Sequence, residues 1–126
     1  MNITAKTPIL AVIGDPVSHS LSPVMHNGWI DDFGLDAAYV ALRISPGDQA
    51  LGFEGLRAIR LFGANVTVPH KQAACLIADR LDPAASALRA VNVLRWEPRR
   101  NGFRIQLGCV RFGCCAGRRP KPAGAA

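Results

Sequence analysis

Residues 8–14 read PILAVIG, an unbroken apolar run that ends in glycine. A run of this length predicts a β-strand that is buried on both faces, as the strands of parallel sheets are. Helix-forming and strand-forming stretches then alternate as far as residue 96. The alternation predicts a single α/β domain built on an open, mostly parallel sheet with helices on both faces.

The first predicted helix follows this strand after a short polar loop. Ser22 is expected to cap its first turn, and Met25, Trp29 and Phe33 recur with the spacing of one helical face. Further strands are predicted at 37–44, 64–68 and 90–96, and further helices after Ser45-Pro46, from His70 and after Asp82-Pro83. Ligands of such sheets bind at the carboxyl ends of the strands. We therefore expect the chemistry in loops 14–22 and 68–71 and at the end of strand 90–96.

The charge divides the chain into two parts. Residues 1–98 hold 8 Lys/Arg and all 9 acidic residues, whereas residues 99–126 hold 7 Lys/Arg and no acidic residue. The net charge of +6 therefore belongs to the C-terminal part, and the body is close to neutral. We predict a domain at 1–104 and a disordered basic tail at 105–126. A nucleic-acid interface is not expected, because aromatic residues are not interleaved with the tail's charges.

Several classes of protein are excluded by the sequence. No apolar run approaches the roughly 18 residues of a membrane span, and the N-terminus lacks the features of a signal peptide, so a cytoplasmic protein is expected. G-x-G-x-x-G and G-x-x-x-x-G-K-[ST] are both absent, so no nucleotide-phosphate loop is predicted. The cysteines form no paired C-x-x-C set, and His19, His26 and His70 lack metal-ligand spacing. We expect no metal site, and we interpret the histidines as capping, packing or solvent-facing residues.

Five polar residues at predicted strand ends are the candidate site. Ser20 and Ser22 lie on one side of an extended segment, where two hydroxyls suit a carboxylate or a polyol, although Ser22 could simply be a helix cap. Lys71 follows Pro69 at the end of a strand and could exchange a proton or bind an anion, or be a solvated surface charge. Thr67 and Asn92 interrupt apolar strands, where Asn92 could contact a ligand or satisfy a buried backbone group.

Three motifs, in order and spacing, resemble a known family. They are GDPV at 14–17 followed by HSLSP at 19–23, then NVTVPHK at 65–71, and AVN at 90–92. Together they resemble the N-terminal substrate-binding domain of the shikimate dehydrogenases, over residues 9–103. The resemblance implies an NADP-dependent oxidoreductase that interconverts 3-dehydroshikimate and shikimate in aromatic amino acid biosynthesis.

The resemblance also implies a role for each candidate residue. Ser20 and Ser22 are expected to hold the substrate carboxylate, and Thr67 and Asn92 the ring hydroxyls. Lys71 is expected to be the catalytic residue, which relays a proton to the oxygen on the carbon that receives hydride. An ammonium group there stabilises the negative charge that develops on this oxygen.

The sequence departs from the family after the third motif. The family pairs its lysine with an aspartate from a segment resembling G-x-N-[ST]-D-x-x-G-F, but residues 102–109 read GFRIQLGC, and no cofactor-domain glycine loop follows. Codons exist for residues 106–119 that encode NSDAFGLAAALDE when read one nucleotide later. We therefore predict that residues 105–126 are out of frame.

The sequence is compatible with two functions. The chain is either an oxidoreductase fragment that is inactive alone, or a binding module that holds shikimate or quinate without turnover. The second function includes a split enzyme, in which the chain docks with a separately encoded cofactor domain. Such a domain would be found as an adjacent reading frame.

Overall fold

The computed structural model describes residues 1–99 and 102–108 of the chain, with side chains through residue 96. The strands are β1 (Ile9–Gly14), β2 (Ala38–Arg43), β3 (Gly63–Val66), β4 (Arg80–Leu81), β5 (Val93–Arg99) and β6 (Gly102–Gly108). The α-helices are α1 (Ser22–Asp32), α2 (Gln49–Ala58), α3 (Lys71–Ile77) and α4 (Pro83–Leu88), and a 3₁₀ turn at Pro46–Asp48 precedes α2. The predicted alternation of strands and helices is confirmed through residue 96.

The strands form one open sheet in the order β2-β1-β3-β5-β6-β4. β1 pairs in parallel with β2 and β3, and β4 pairs in parallel with β6. The α/β class with a mostly parallel sheet is confirmed, but β5 is antiparallel to both β3 and β6. The end of strand 90–96, one of the three segments expected to carry chemistry, therefore lies at the opposite edge of the sheet from the ends of β1 and β3. Because β5 runs in the opposite direction, its start, next to Asn92, lies at the edge where β1 and β3 end.

Helices pack on both faces of the sheet, as the sequence predicts. Ala11 and Ile13 of β1 face a core that includes Phe53 of α2 and small residues of α3 and α4. Val12, on the opposite face, packs with Ile30 of α1 in a smaller cluster. The period-two alternation of a strand thus divides β1 between two cores, and α1 is separated from the other three helices.

The apolar stripe of α1 faces away from the sheet. Met25, Trp29 and Phe33 are 47%, 52% and 74% exposed, and Ile30 is the buried residue of this helix. The periodicity correctly predicts a helix, but the expected buried face is wrong. The reason is a polar contact on the other side, where Asn27 bonds both backbone groups of Tyr39, at 2.8 Å and 2.9 Å. This contact covers outward-facing backbone groups of β2, which is the edge strand of the sheet.

The predicted helix starts differ in outcome. Asp82 caps α4 as expected, since its side chain accepts a 2.6 Å hydrogen bond from the Ala85 N–H. The predicted cap at Ser22 is wrong, because α1 begins at Ser22 itself and Leu21 occupies the cap position without a side-chain bond. The Ser22 hydroxyl is therefore not used for capping.

The predicted domain boundary after residue 104 falls inside β6, which pairs with β5 as far as Gly108. Residues 103–107 alternate apolar and polar side chains, which is the pattern of a strand. The expectation of disorder is therefore wrong for residues 105–108. The rest of the predicted tail, 109–126, lies outside the described residues. Within the part of the chain that is described, no helix is long and apolar enough to cross a membrane.

Candidate functional site

A cavity of about 450 Å³ opens on the face of the sheet that α1 covers, beside the ends of β1 and β3. It is referred to below as the site cavity. Its walls are Val12, Pro16, Val17, Ser20, Ser22, His26, Asn65 and Thr67. Of the five predicted site residues, the structure brings Ser20, Ser22 and Thr67 together here.

The loop between β1 and α1 presents its two serines in different ways. The Ser20 N–H donates to the Val17 carbonyl, and the Ser22 N–H donates to the Ser20 Oγ at 3.3 Å. Because the Ser20 oxygen accepts this bond, its hydroxyl proton is free to be donated to a ligand. Ser22 opens an eleven-residue helix, whose N-terminal N–H groups favour a nearby negative charge. This end of the site cavity suits an anionic oxygen.

The opposite wall comes from β3 and the residues that follow it. Asn65 and Thr67 are two residues apart and therefore share one face, and the Thr67 N–H donates to the Ile13 carbonyl at 2.9 Å. Close approach of the two strands depends on Gly14, since a Cβ there would lie 2.5 Å from the Thr67 Cγ2. A hydroxyl and an amide thus face the serines across the site cavity.

Tyr39 of β2 lies behind the site cavity and contacts two of its lining residues. Its hydroxyl donates to the Asn65 Oδ1 at 2.6 Å. The His26 ring stacks on the phenol ring, with centroids 4.1 Å apart and an interplanar angle of 9°. Burial raises the pKa of Tyr39 from 10.0 to about 12, and the Ser22 side chain opposes that rise.

This pKa predicts how the stability of the chain depends on alkaline pH. Below pH 10 the phenol is protonated in both the folded and the unfolded chain, so the free energy of unfolding keeps its full contribution from Tyr39. Between pH 10 and 12 only the unfolded chain ionises, and about 2 kcal/mol of unfolding free energy is expected to be lost. The chain has one tyrosine, so phenolate absorbance reports on Tyr39 alone, and denaturant melts of the chain and of Tyr39→Phe across this range isolate its contribution to stability. A phenolate midpoint near pH 10 in the folded chain, or an equal loss of stability in the chain and in Tyr39→Phe, would contradict this assignment.

His70 anchors the turn that connects β3 to α3. The ring is fully buried, and its Nε2–H donates to the Ile44 carbonyl at 2.5 Å. Its Nδ1 therefore accepts a hydrogen bond from the Gln49 side-chain amide at 2.8 Å. The ring also packs edge-on against Phe53. The prediction of a packing histidine is confirmed here, and the ring fixes residues 67–71 to the segment between β2 and α2.

Lys71 and Asn92 are not among the residues that line the site cavity. Lys71 is the first residue of α3 and is half-buried, and its carbonyl accepts from the Val91 N–H at 3.1 Å. The Asn92 carbonyl accepts from the Val66 N–H at 2.7 Å. These bonds hold the start of β5 against the end of β3 and the start of α3. Both residues therefore lie at the sheet edge that carries the site cavity.

The five residues predicted from the sequence do not include three further residues of the site. Asn65 interrupts an apolar strand two residues before Thr67. This polar interruption indicates a site residue as strongly as the one at Asn92 does. His26 lies one helical turn after Ser22, and its Nδ1 donates to the Ser22 carbonyl at 2.8 Å. Tyr39 cannot be recognised as a site residue from the sequence, because a tyrosine is common in an apolar strand and its role depends on its position beneath Asn65. In the described residues, no cluster of three or more His, Cys, Asp or Glu side chains could hold a metal ion.

The chain is similar to known proteins over most of its described part. Residues 12–94 match the family described as "Shikimate dehydrogenase substrate binding domain". Among curated relatives, shikimate dehydrogenase (NADP(+)) of Geobacter metallireducens is 45% identical over 97 residues, which are 77% of this chain and 34% of that protein. The enzyme of the same name from Methanothermobacter thermautotrophicus is 40% identical over 95 residues. The chain thus spans about a third of the length of these relatives.

Solved structures show the same similarity. Shikimate dehydrogenase from Aquifex aeolicus superposes with a TM-score of 0.75 at 38% identity, over 83% of this chain and 39% of that one. Shikimate 5-dehydrogenase from Listeria monocytogenes, in complex with shikimate and NAD, superposes with a TM-score of 0.74 at 33% identity, over 84% of this chain and 36% of that one.

Proposed function

The chain belongs to the shikimate dehydrogenase family, as its substrate-binding domain, and from this premise we propose that it binds shikimate or 3-dehydroshikimate in the cytoplasm. The observation that carries the proposal is the convergence of Ser20, Ser22, Asn65 and Thr67 on one cavity of about 450 Å³. Three hydroxyls and an amide suit a small ligand with a carboxylate and several ring hydroxyls.

The carboxylate of the ligand would lie at the start of α1. Ser20 supplies a free hydroxyl proton, Ser22 supplies a second hydroxyl, and the helix N-terminus adds a favourable field for a negative charge. Pro16 and Val17 line the cavity beside these serines. A hydrogen bond to a charged group is stronger than one between neutral groups.

The ring hydroxyls would face Thr67, Asn92 and Lys71. Thr67 lines the site cavity directly, and backbone bonds hold the other two residues at the same sheet edge. We propose that Lys71 is the catalytic residue, whose ammonium group stabilises negative charge on the substrate oxygen and exchanges a proton with it. Its half-buried position at the start of α3 is compatible with this role.

The curated relatives are NADP(+) enzymes, but the residues of this chain do not fit that cofactor. The loop after β1, residues 15–21, contains no glycine, so the backbone cannot approach a pyrophosphate as it does in dinucleotide-binding folds. Pro16 also removes one backbone N–H from this loop. We therefore propose that these 126 residues bind substrate without turnover by themselves, and that hydride transfer requires a cofactor-binding domain that they do not supply.

The origin of the C-terminal residues is a separate part of the proposal. Two observations support a change of reading frame. Acidic residues are absent after Glu97, and codons for residues 106–119 exist that encode NSDAFGLAAALDE when read one nucleotide later. Sequencing the gene across the codons for residues 99–119 tests this. A single nucleotide that restores the aspartate segment, followed by a glycine-rich loop, is expected. A confirmed frame with nothing related downstream would contradict it.

The binding proposal is tested by titrating shikimate into the chain and into two serine variants, with ¹H–¹⁵N NMR as the readout. Ser20→Ala is expected to weaken binding about tenfold or more, because it removes a hydrogen bond to a charged group. Ser18→Ala is the matched control, since Ser18 is exposed and lies outside the site cavity. Equal affinity in the two variants would show that the carboxylate does not bind at the start of α1.

A further inference from the structure

Tyr39 does not line the site cavity, yet it contacts two residues that do. It is only 4% exposed and lies on β2, the edge strand behind the cavity wall. Its hydroxyl donates to Asn65 on β3, and its ring stacks on His26 of α1. These two residues come from opposite walls, so the phenol is a link between the two halves of the cavity.

The direction of one of these bonds decides what Asn65 can offer a ligand. The phenol has a single proton, and it is donated to the Asn65 Oδ1 at 2.6 Å. The carbonyl oxygen of the amide is therefore engaged by Tyr39, and the amide nitrogen remains for a ligand. Asn65 thus acts as a hydrogen-bond donor toward an oxygen of the ligand.

The phenol itself is held rigidly. Its ring stacks on His26, whose Nδ1 in turn donates to the Ser22 carbonyl. Its backbone is bonded on the outer side by Asn27 and is paired on the inner side with Leu10 of β1. A group fixed on all sides can orient its partners before a ligand arrives, which reduces the entropic cost of binding.

We propose that Tyr39 is a positioning residue of the site: it orients the Asn65 amide so that the nitrogen donates to a ligand oxygen. The identity of the ligand rests on the proposed function. The orientation of Asn65 does not, because it is a property of the chain without ligand.

The test compares the full chain with Tyr39→Phe, which keeps the ring and removes only the hydroxyl. Shikimate is expected to bind about tenfold more weakly to the variant, as the loss of one ordered hydrogen bond predicts. The Asn65 side-chain amide signals, assigned with Asn65→Ala, are expected to shift even without ligand. This spectroscopic readout would not respond if the hydroxyl merely stabilised the fold.

The possible outcomes separate this inference from the proposed function. Unchanged affinity together with unchanged Asn65 signals overturns the positioning role. If shikimate does not bind to the parent chain, but the Asn65 signals still shift in Tyr39→Phe, the proposed ligand is wrong and the positioning role stands.

A second measurement covers the case in which Tyr39→Phe does not fold. The chain has one tyrosine, so labelling its ζ carbon with ¹³C gives a single resonance that reports on the phenol hydrogen bond. Asn65→Ala is expected to shift this resonance in the ligand-free chain. A resonance identical in the two proteins would contradict the bond between Tyr39 and Asn65.

Discussion

A His70→Ala variant is expected to lose about 3 to 4 kcal/mol of unfolding free energy. The ring is fully buried, and it satisfies both the Ile44 carbonyl and the Gln49 side chain. Its removal leaves a cavity next to Phe53 and a buried carbonyl without its hydrogen bond. Since small domains are stable by about 5 to 15 kcal/mol in total, this loss would be a large fraction of the stability. Chemical denaturation followed by circular dichroism measures it.

His19→Ala is the matched control for this variant. His19 is exposed on the loop between β1 and α1, and its replacement is expected to change the stability by less than about 0.5 kcal/mol. If His70→Ala unfolds at the same denaturant concentration as His19→Ala, the ring does not anchor the turn at residues 67–71. The structural basis for positioning Thr67 and Lys71 would then be lost.

Lys71→Ala is expected to abolish most catalysis once a cofactor domain is supplied. The suitable protein is a fusion of residues 1–98 with the remaining two thirds of the Geobacter metallireducens relative. In this fusion kcat is expected to fall about 100- to 1,000-fold, the usual effect of removing one group that stabilises an oxyanion in the transition state. Shikimate-dependent reduction of NADP⁺ measures the rate.

The control for the lysine variant is Lys6→Ala in the same fusion. Lys6 is exposed and precedes β1, so its loss changes the net charge equally without altering the site. Its kcat is expected to match that of the parent fusion. A Lys71→Ala enzyme that is as active as the Lys6→Ala enzyme would remove Lys71 from the catalytic role.

The sequence predicts the framework of the fold because its strongest signals are local. The run at 8–14 and the Asp82-Pro83 start depend on a few neighbouring residues, and both predictions are confirmed. The direction of β5 cannot be predicted from neighbouring residues, since an antiparallel strand and a buried parallel strand share the same apolar composition. The outward face of α1 was also unpredictable, because hydrogen bonds between Asn27 and Tyr39 determine which side of the helix meets the sheet.

The candidate site was predictable only in part. Ser20, Ser22 and Thr67 interrupt or follow apolar segments, so their polar character is visible in the sequence, and the structure places all three on the site cavity. The partners of Tyr39 and His70 could not be predicted in this way. Each acts through a partner more than twenty residues away, namely Asn65 for the tyrosine and Ile44 for the histidine. Only the paired strands of the folded sheet bring these residues together.

The most direct test of the central claim is a calorimetric titration of the intact chain with shikimate, with benzoate as a comparison ligand. Benzoate keeps the carboxylate but lacks the ring hydroxyls. We expect saturable binding of one shikimate per chain and much weaker binding of benzoate, because Thr67 and Asn65 would have no hydroxyl to contact. A folded chain that shows no saturable heat with shikimate, or that binds both ligands equally, would contradict it.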